Sequence, residues 1–400
     1  MLAPHWYGGT MNNVQNENKK KVGLITFHLS YNFGAALQAY SLQEAINGLG
    51  CECLLLNYYF EHGMDFYGIR PYASLKGKIF DFLITPKRLL QHKAYHQYQR
   101  RFYRNTTPMT KKWEDLAVLG RDCEVLVCGS DQIWNPDKGD ITPYFLKFAL
   151  PYQRKVSYAP SVNFYRLEEN LIPAYRELLM DFDAISVREE ATAKQLSSMI
   201  EKPVFCALDP TLLHSREFFD AMLSQNEGVS FPERFIFVYC LNTSKSKRKR
   251  LFTFAEEYAR KHHVKIVYFS KIDSFGRLYS KNIFVNDPLV FLKAVKDAEF
   301  VITDSFHACV FSVIYHKQFV YGINTVRIND LMQRLGIQSR MINSNLDISS
   351  EINYDIVEDK LLSLREDSIA FLKQAIMNKK ETESGKRWNS KSRGSLVEAD

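Results

Sequence analysis

Two series of short, unbroken apolar runs dictate what this chain can fold into. The first comprises "KVGLITF" (21–27), "CECLLLNYY" (51–59), "EVLVCGS" (124–130), "KVSYAPS" (155–161), "AISVRE" (184–189) and "PVFCALDP" (203–210). The second comprises "RFIFVYCL" (234–241), "KIVYFS" (265–270), "NIFVND" (282–287), "EFVITDS" (299–305) and "QFVYGI" (318–323). Most lack strict polar–apolar alternation, as expected of strands covered on both faces. Segments with helical spacing lie between them. In 34–48, "GAALQAYSLQEAING", the residues Leu37, Tyr40, Ser41, Leu42, Ala45 and Ile46 fall near one face, and Gly48 or Gly50 supplies a stop. Residues 246–262 and 288–297 read the same way. Alternating strands and helices predict parallel sheets with right-handed crossovers. The expected class is therefore α/β, with two Rossmann-like domains over 21–215 and 230–345.

The remaining segments fall outside that alternation. Residues 1–20 read as an irregular, disordered leader without the apolar core of a signal peptide, and Met11 is a second candidate start. Residues 65–112 form a basic insertion, in which Lys76, Lys78, Lys87, Arg88, Lys93, Arg100, Arg101, Arg104, Lys111 and Lys112 face only Asp65 and Asp81, with aromatic and leucine side chains interleaved. Such a segment is either a solvated helical pair or a surface that meets an anionic bilayer or a lipid-linked pyrophosphate. Within 346–380, residues 356–379 make a charged amphipathic helix expected to pack back across the first domain, and 381–400 read as a polar, disordered tail.

Composition bounds the function. With 46% hydrophobic and 24% charged residues, the 400-residue chain is of the water-soluble globular type. A net charge of +7 is too weak to imply nucleic acid but suits anionic small molecules, phosphates or an anionic membrane surface. Seven scattered cysteines, with no CxxC pair, offer neither a zinc signature nor a disulfide framework, which fits a reducing cytoplasm. No apolar stretch approaches the ~18–20 residues that span a bilayer. The expected location is cytoplasmic, with peripheral membrane contact as an option for the basic insertion.

In open parallel sheets, ligands bind beyond the carboxyl ends of strands, so the residues just after each run are the candidates. After the first run, "HLSYNFG" leads into a helix; Ser30 and Asn32 fit both helix capping and ligand contact, and the absence of GxGxxG removes support for dinucleotide binding. After the third, "CGSDQIWNP" supplies Gly129, Ser130, Asp131, Trp134 and Asn135; the indole suits stacking on a sugar ring, and Asn135-Pro136 is also ordinary turn chemistry. Arg188 ends another run, where a buried guanidinium must either hold an anion or pair with Glu189, Glu190 or Asp209. Asp209-Pro210 reads as a turn and helix cap. In "FVITDSFHACVFSVIY" (300–315), Asp304 or Ser305 can cap a helix that starts near Phe306, and His307 then faces the cleft from the first turn. "SKSKRKR" (244–250) is a solvated basic helix start or an anion site.

Taken in order, "YNFGAALQAYSLQEAI", "VCGSDQIWNP", "KVSYAPS", "DAISVREE", "LDPTLL" and "DSFHACVFSVIYHKQFV" resemble the polysaccharide pyruvyl transferase family, in a branch carrying Asp-Ser-Phe-His. The resemblance implies a GT-B-like fold with two Rossmann-like domains facing a central cleft. It implies phosphoenolpyruvate as donor, a sugar or lipid-linked oligosaccharide hydroxyl pair as acceptor, and a pyruvate ketal on a bacterial surface polysaccharide as product. It carries the catalytic histidine onto His307, with Asp304 beside it, and the donor-binding arginine onto Arg188. One departure stands out: Ser305 occupies a position where family members often carry a second arginine, and Arg327, Lys245 and Arg154 are candidates to replace it. Ketal formation requires a general acid and cations for carboxylate and phosphate, with no metal or other cofactor, and imidazole is the side chain that exchanges a proton near neutrality. Two other functions remain open: a GT-B glycosyltransferase using a nucleotide sugar, and a non-catalytic polysaccharide-assembly protein.

Overall fold

The computed structural model describes residues 19–60, 75–225, 230–241, 244–270, 287–322, 325–343 and 346–379. Residues 282–286 of the expected strand and the first ten residues of the basic insertion lie outside these. In the first half, β1 (Lys21–Ile25), β2 (Glu52–Leu55), β3 (Val125–Asp131) and β4 (Arg154–Pro160) form a parallel sheet in the order β2-β1-β3-β4. β5 (Ile185–Val187) and β6 (Val204–Cys206) make a separate parallel pair. In the second half, β7 (Phe235–Cys240), β8 (Lys265–Ser270), β9 (Phe300–Thr303) and β10 (Gln318–Tyr321) form a second parallel sheet, ordered β10-β9-β7-β8. The fully buried strands β3, β4 and β7 explain the unbroken apolar runs: no position faces water, so none is polar for solvation alone.

The helices that matter here are α1 (Phe33–Gly48), α2 (Leu75–Phe102), α3 (Ile172–Met180), α4 (Glu190–Ile200), α5 (Arg216–Leu223), α6 (Lys245–His262), α7 (Pro288–Asp297), α8 (Phe306–Ile314), α9 (Val326–Leu335) and α10 (Tyr354–Met377). α1 departs from its expected single apolar face, because every residue from Phe33 to Gln43 is buried. Tyr40 packs against Phe102 of α2 and Phe218 of α5, while Phe33 stacks on Phe291 of α7 with ring centres 5.1 Å apart. The first-half helix is thus enclosed by elements of both halves, and its buried Gln38 donates to the Thr26 hydroxyl at 3.0 Å. One aromatic core runs through both halves beneath the cleft.

Two serines join β4 to the β5–β6 pair. Ser157 Oγ donates to Ser186 O and Ser186 Oγ donates to Ser157 O, each at 2.9 Å, and each hydroxyl also accepts a backbone N–H. Such bonds contribute on the order of 1 kcal/mol each, and more is at risk if one partner is left buried and unpaired. α10 runs from the second half back to the first. Its Tyr354 hydroxyl donates to Ser312 O, its Arg365 Nε to Leu212 O, its Ser368 Oγ accepts from Leu208 N, and its last turn accepts from Arg154 through Ala375 O.

Candidate functional site

A cavity of about 290 Å3 lies between the carboxyl ends of the two sheets. One wall comes from the segment after β1, with Thr26, His28, Ser30 and Asn32, and from Asp131 and Gln132 at the end of β3. The opposite wall is the turn after β9, with Asp304, Ser305, Phe306 and His307, joined by Thr325 and Arg327 at the start of α9.

Local chemistry explains how each wall is built. Asn32 caps α1 by accepting from Gly34 N and Ala35 N, and Ser305 caps α8 by accepting from Ala308 N. Both helices therefore point their positive ends at the cavity. The two ends meet at His307, whose ring lies against Gly34: a Cβ built on Gly34 would stand 1.9 Å from His307 Nδ1. Only glycine permits this approach. Gly129 has a comparable role within the sheet, where a Cβ would fall 2.3 Å from Tyr158 O. Asp131 holds a left-handed backbone (φ 64°), which ends β3 and turns its carboxylate to the cavity.

His307 does not work alone. Its Nε2 is buried, without a hydrogen-bond partner among the described residues, 3.6 Å from Asp209 Oδ2. Asp209 also pairs with Arg188 Nη1 at 2.6 Å and accepts from Thr211 N and Thr211 Oγ1. Burial works to raise the Asp209 carboxyl, but His307, Arg188 and Thr211 outweigh it and hold the group well below the usual carboxylate range. For Arg188, burial opposes the charge, and Asp209 and Glu189 more than restore it. Arg188 is 3% exposed, is absent from the cavity wall, and lies behind Phe306 with its guanidinium carbon 4.5 Å from the ring centre. Its Nη2 has no hydrogen-bond partner among the described residues. Arg327 lies 5.8 Å from the same ring, on the cavity side.

Several expected site residues lie elsewhere. Trp134 is fully buried, stacks on Phe145 at 4.9 Å and donates its indole N–H to Tyr144 O, so it is a core residue and no platform for a sugar. Gly129 and Ser130 are inside the sheet, where the Ser130 hydroxyl donates to Ala159 O. Asn135 caps the turn at Pro136–Lys138. Asp304 borders the cavity, but its carboxylate accepts from Leu241 N at 2.5 Å and from the Cys240 thiol, which ties it to the end of β7. The carboxylate facing His307 is Asp209, from the other half. Arg154 is bound to Ala375 O, Lys379 O and Asp183, remote from the cavity, and the Lys245 side chain is outside the described residues. Lys138, Tyr58, Phe60 and Tyr144 line the cavity unannounced by sequence reasoning. The signal for Lys138 was its place in the turn after β3; the three aromatics carried none.

The family model for polysaccharide pyruvyl transferase matches residues 32–325. The chain belongs to this family. The transferase is also similar in structure to a UDP-N-acetylglucosamine 2-epimerase candidate from Listeria monocytogenes, with a TM-score of 0.51 at 10% identity, covering 90% of this chain and 91% of that one. UDP-bound MnaA from S. aureus (TM-score 0.47, 12% identity, 90% and 92% covered) and an alpha-glucosyltransferase bound to UDP and DNA (0.46, 10%, 90% and 96%) are further neighbours. At these identities the likeness concerns the fold alone, which is GT-B-like. No curated protein matches. Among the described residues of the transferase, no helix is long and apolar enough to cross a membrane, and no cluster of His, Cys, Asp and Glu could hold a metal ion.

Proposed function

We propose that this transferase moves a pyruvyl group from phosphoenolpyruvate onto two hydroxyls of a surface-polysaccharide sugar, with His307 as the general acid. The observation that carries this reading is the placement of His307: at the mouth of α8, in the cavity wall, with Asp209 3.6 Å from Nε2. Nε2 faces Asp209 and Nδ1 lies against Gly34, so the ring is held between the two halves at the edge of the cavity. Asp209 puts a negative charge beside the ring, and the donor's carboxylate and phosphate would add theirs.

The reaction then follows from ordinary chemistry. The proton from His307 adds to the donor's methylene carbon, which becomes the methyl group, and positive charge develops at C2. One sugar hydroxyl forms a bond to C2 and loses its proton; the C2–O bond to phosphate breaks, and the second hydroxyl bonds to C2 and loses its proton, so that one of the two hydroxyl protons restores His307 and the other leaves with phosphate. The balance is one ketal and one inorganic phosphate. Asp131, in the opposite wall, is suited to receive a hydroxyl proton. Arg188 reaches the donor only if Phe306 turns aside, and otherwise serves by compensating Asp209.

The test is incubation with phosphoenolpyruvate and a panel of free and lipid-linked galactosides, followed by mass spectrometry and phosphate measurement. The expected result is an acceptor gaining one pyruvyl unit less one water, with an equal yield of phosphate. His307→Gln should reduce turnover by about 100-fold or more. A variant within tenfold of the parent would exclude His307 as the acid.

A further inference from the structure

Arg327, in the cavity wall, is a cation with no carboxylate partner among the described residues. Two guanidinium groups flank Phe306, with carbons 4.5 Å (Arg188) and 5.8 Å (Arg327) from the ring centre. Arg188 is compensated by Asp209 at 2.6 Å and Glu189 at 3.7 Å. Arg327 has no carboxylate within ion-pair distance among the described residues. Its Nε donates to the neutral Asn163 Oδ1 at 3.0 Å. Its Nη1 and Nη2 lie 3.2 and 3.0 Å from the Gln132 amide, which accepts from both when its oxygen and nitrogen are assigned to suit the two donors. Asp131, Glu189 and Asp209 act on Arg327 only from farther away, and burial together with repulsion by Arg188 lowers its pKa to about 10. A half-buried guanidinium beside two neutral amides and a second cation is strongly biased toward an incoming anion.

We propose that Arg327 is the receptor for an anionic group of the donor, and that Gln132 is a neutral occupant displaced when the donor binds. The geometry suits displacement. The Gln132 amide sits over the outer two nitrogens, the pair a carboxylate or phosphate engages bidentately, while Asn163 holds Nε and so fixes the plane of the fork. An amide oxygen competes poorly with a charged oxygen for the same donors. Both residues line the same cavity as His307 and Ser305. The identity of the donor rests on the pyruvyl-transfer reading; the anion site itself does not.

Gln132→Glu is the discriminating variant, because it places a permanent anion where the displaceable amide stood. If Arg327 serves only to hold the two halves together, the new ion pair leaves donor kinetics alone. If it receives the donor, Gln132→Glu should raise the KM for phosphoenolpyruvate by about 10- to 100-fold with kcat within threefold, while thermal stability is equal to or above that of the parent. Arg327→Met should raise KM to a similar degree, and Arg327→Lys should recover part of the loss. An unchanged KM in Gln132→Glu, or an Arg327→Met variant that loses thermal stability but keeps its KM, overturns the assignment. Titration with inorganic phosphate separates this from the donor reading. A parent protein that binds phosphate but neither binds nor turns over phosphoenolpyruvate defeats the donor reading. In that case the anion receptor stands only if phosphate binding is lost in Arg327→Met, and falls if it is retained.

Discussion

The contact between Gly34 and His307 makes a sharp prediction. In Gly34→Ala the added methyl would lie 1.9, 2.2 and 2.6 Å from His307 Nδ1, Cγ and Cε1. Ordinary contact starts near 3.4 Å, so the ring must withdraw by about 1.5 Å or the two helix ends must separate. Overpacking of this kind costs roughly 1–3 kcal/mol. A displacement of that size in a catalytic group costs on the order of 100-fold in rate. Gly48→Ala is the matched control: it lies in the same helix, and a Cβ there meets nothing within 4 Å. Phosphate release from phosphoenolpyruvate and thermal unfolding should be measured on both. The expectation is a folded Gly34→Ala protein with kcat/KM reduced about 100-fold, beside a Gly48→Ala protein of parental activity and equal or greater stability. A folded Gly34→Ala protein within threefold of the parent would show that the ring need not sit against α1, and would remove the geometric basis for His307 as the acid.

Three other variants test the surrounding structure. Asp209→Asn leaves Arg188 with Glu189 alone and should destabilise the fold by about 3 kcal/mol at neutral pH in urea titrations. Because the folded Asp209 carboxyl is depressed, its contribution is full above the unfolded pKa of about 3.9 and fades as pH falls toward the folded value; the gap between parent and variant should therefore close below about pH 4. Arg154→Met should lower the unfolding midpoint through lost bonds to Ala375 O and Lys379 O, by about 1–3 kcal/mol, while leaving the donor KM unchanged; a raised KM would return Arg154 to the donor site. Trp134→Phe should cost about 1–2 kcal/mol through the lost bond to Tyr144 O, and acceptor KM should hold within twofold; a large rise in acceptor KM would contradict its core placement.

The fold was largely legible because its signals are local. Runs such as 265–270 and the helix 288–297 coincide with β8 and α7, since continuous apolar strands and capped amphipathic helices are written in consecutive residues. What the pattern could not supply was enclosure. The sequence of α1 reads as one-sided, yet the helix is buried on every face because α2, α5 and α7 surround it, and none of those contacts is local. The same limit misdirected Trp134: an indole just past a strand end suits a ligand platform, but Phe145 and Tyr144 close over it.

Asp304 and Asp209 show why the site was harder to read than the fold. The strand-end rule points to both, and proximity in sequence favours Asp304 as the partner of His307. The fold reverses that choice for a physical reason. At the start of a helix, a carboxylate can turn back to the neighbouring strand end, and Asp304 does so, satisfying Leu241 N and the Cys240 thiol. The Ser305 hydroxyl then takes the cap, which leaves the His307 ring to lean out of α8 toward the other half of the molecule. The groups it meets there, Gly34 and Asp209, hold their places through the α1 cap and the Asp209–Thr211 turn. A pair assembled from two halves in this way depends on their spacing, and any change in how the halves pack would act directly on the 3.6 Å separation between His307 Nε2 and Asp209 Oδ2.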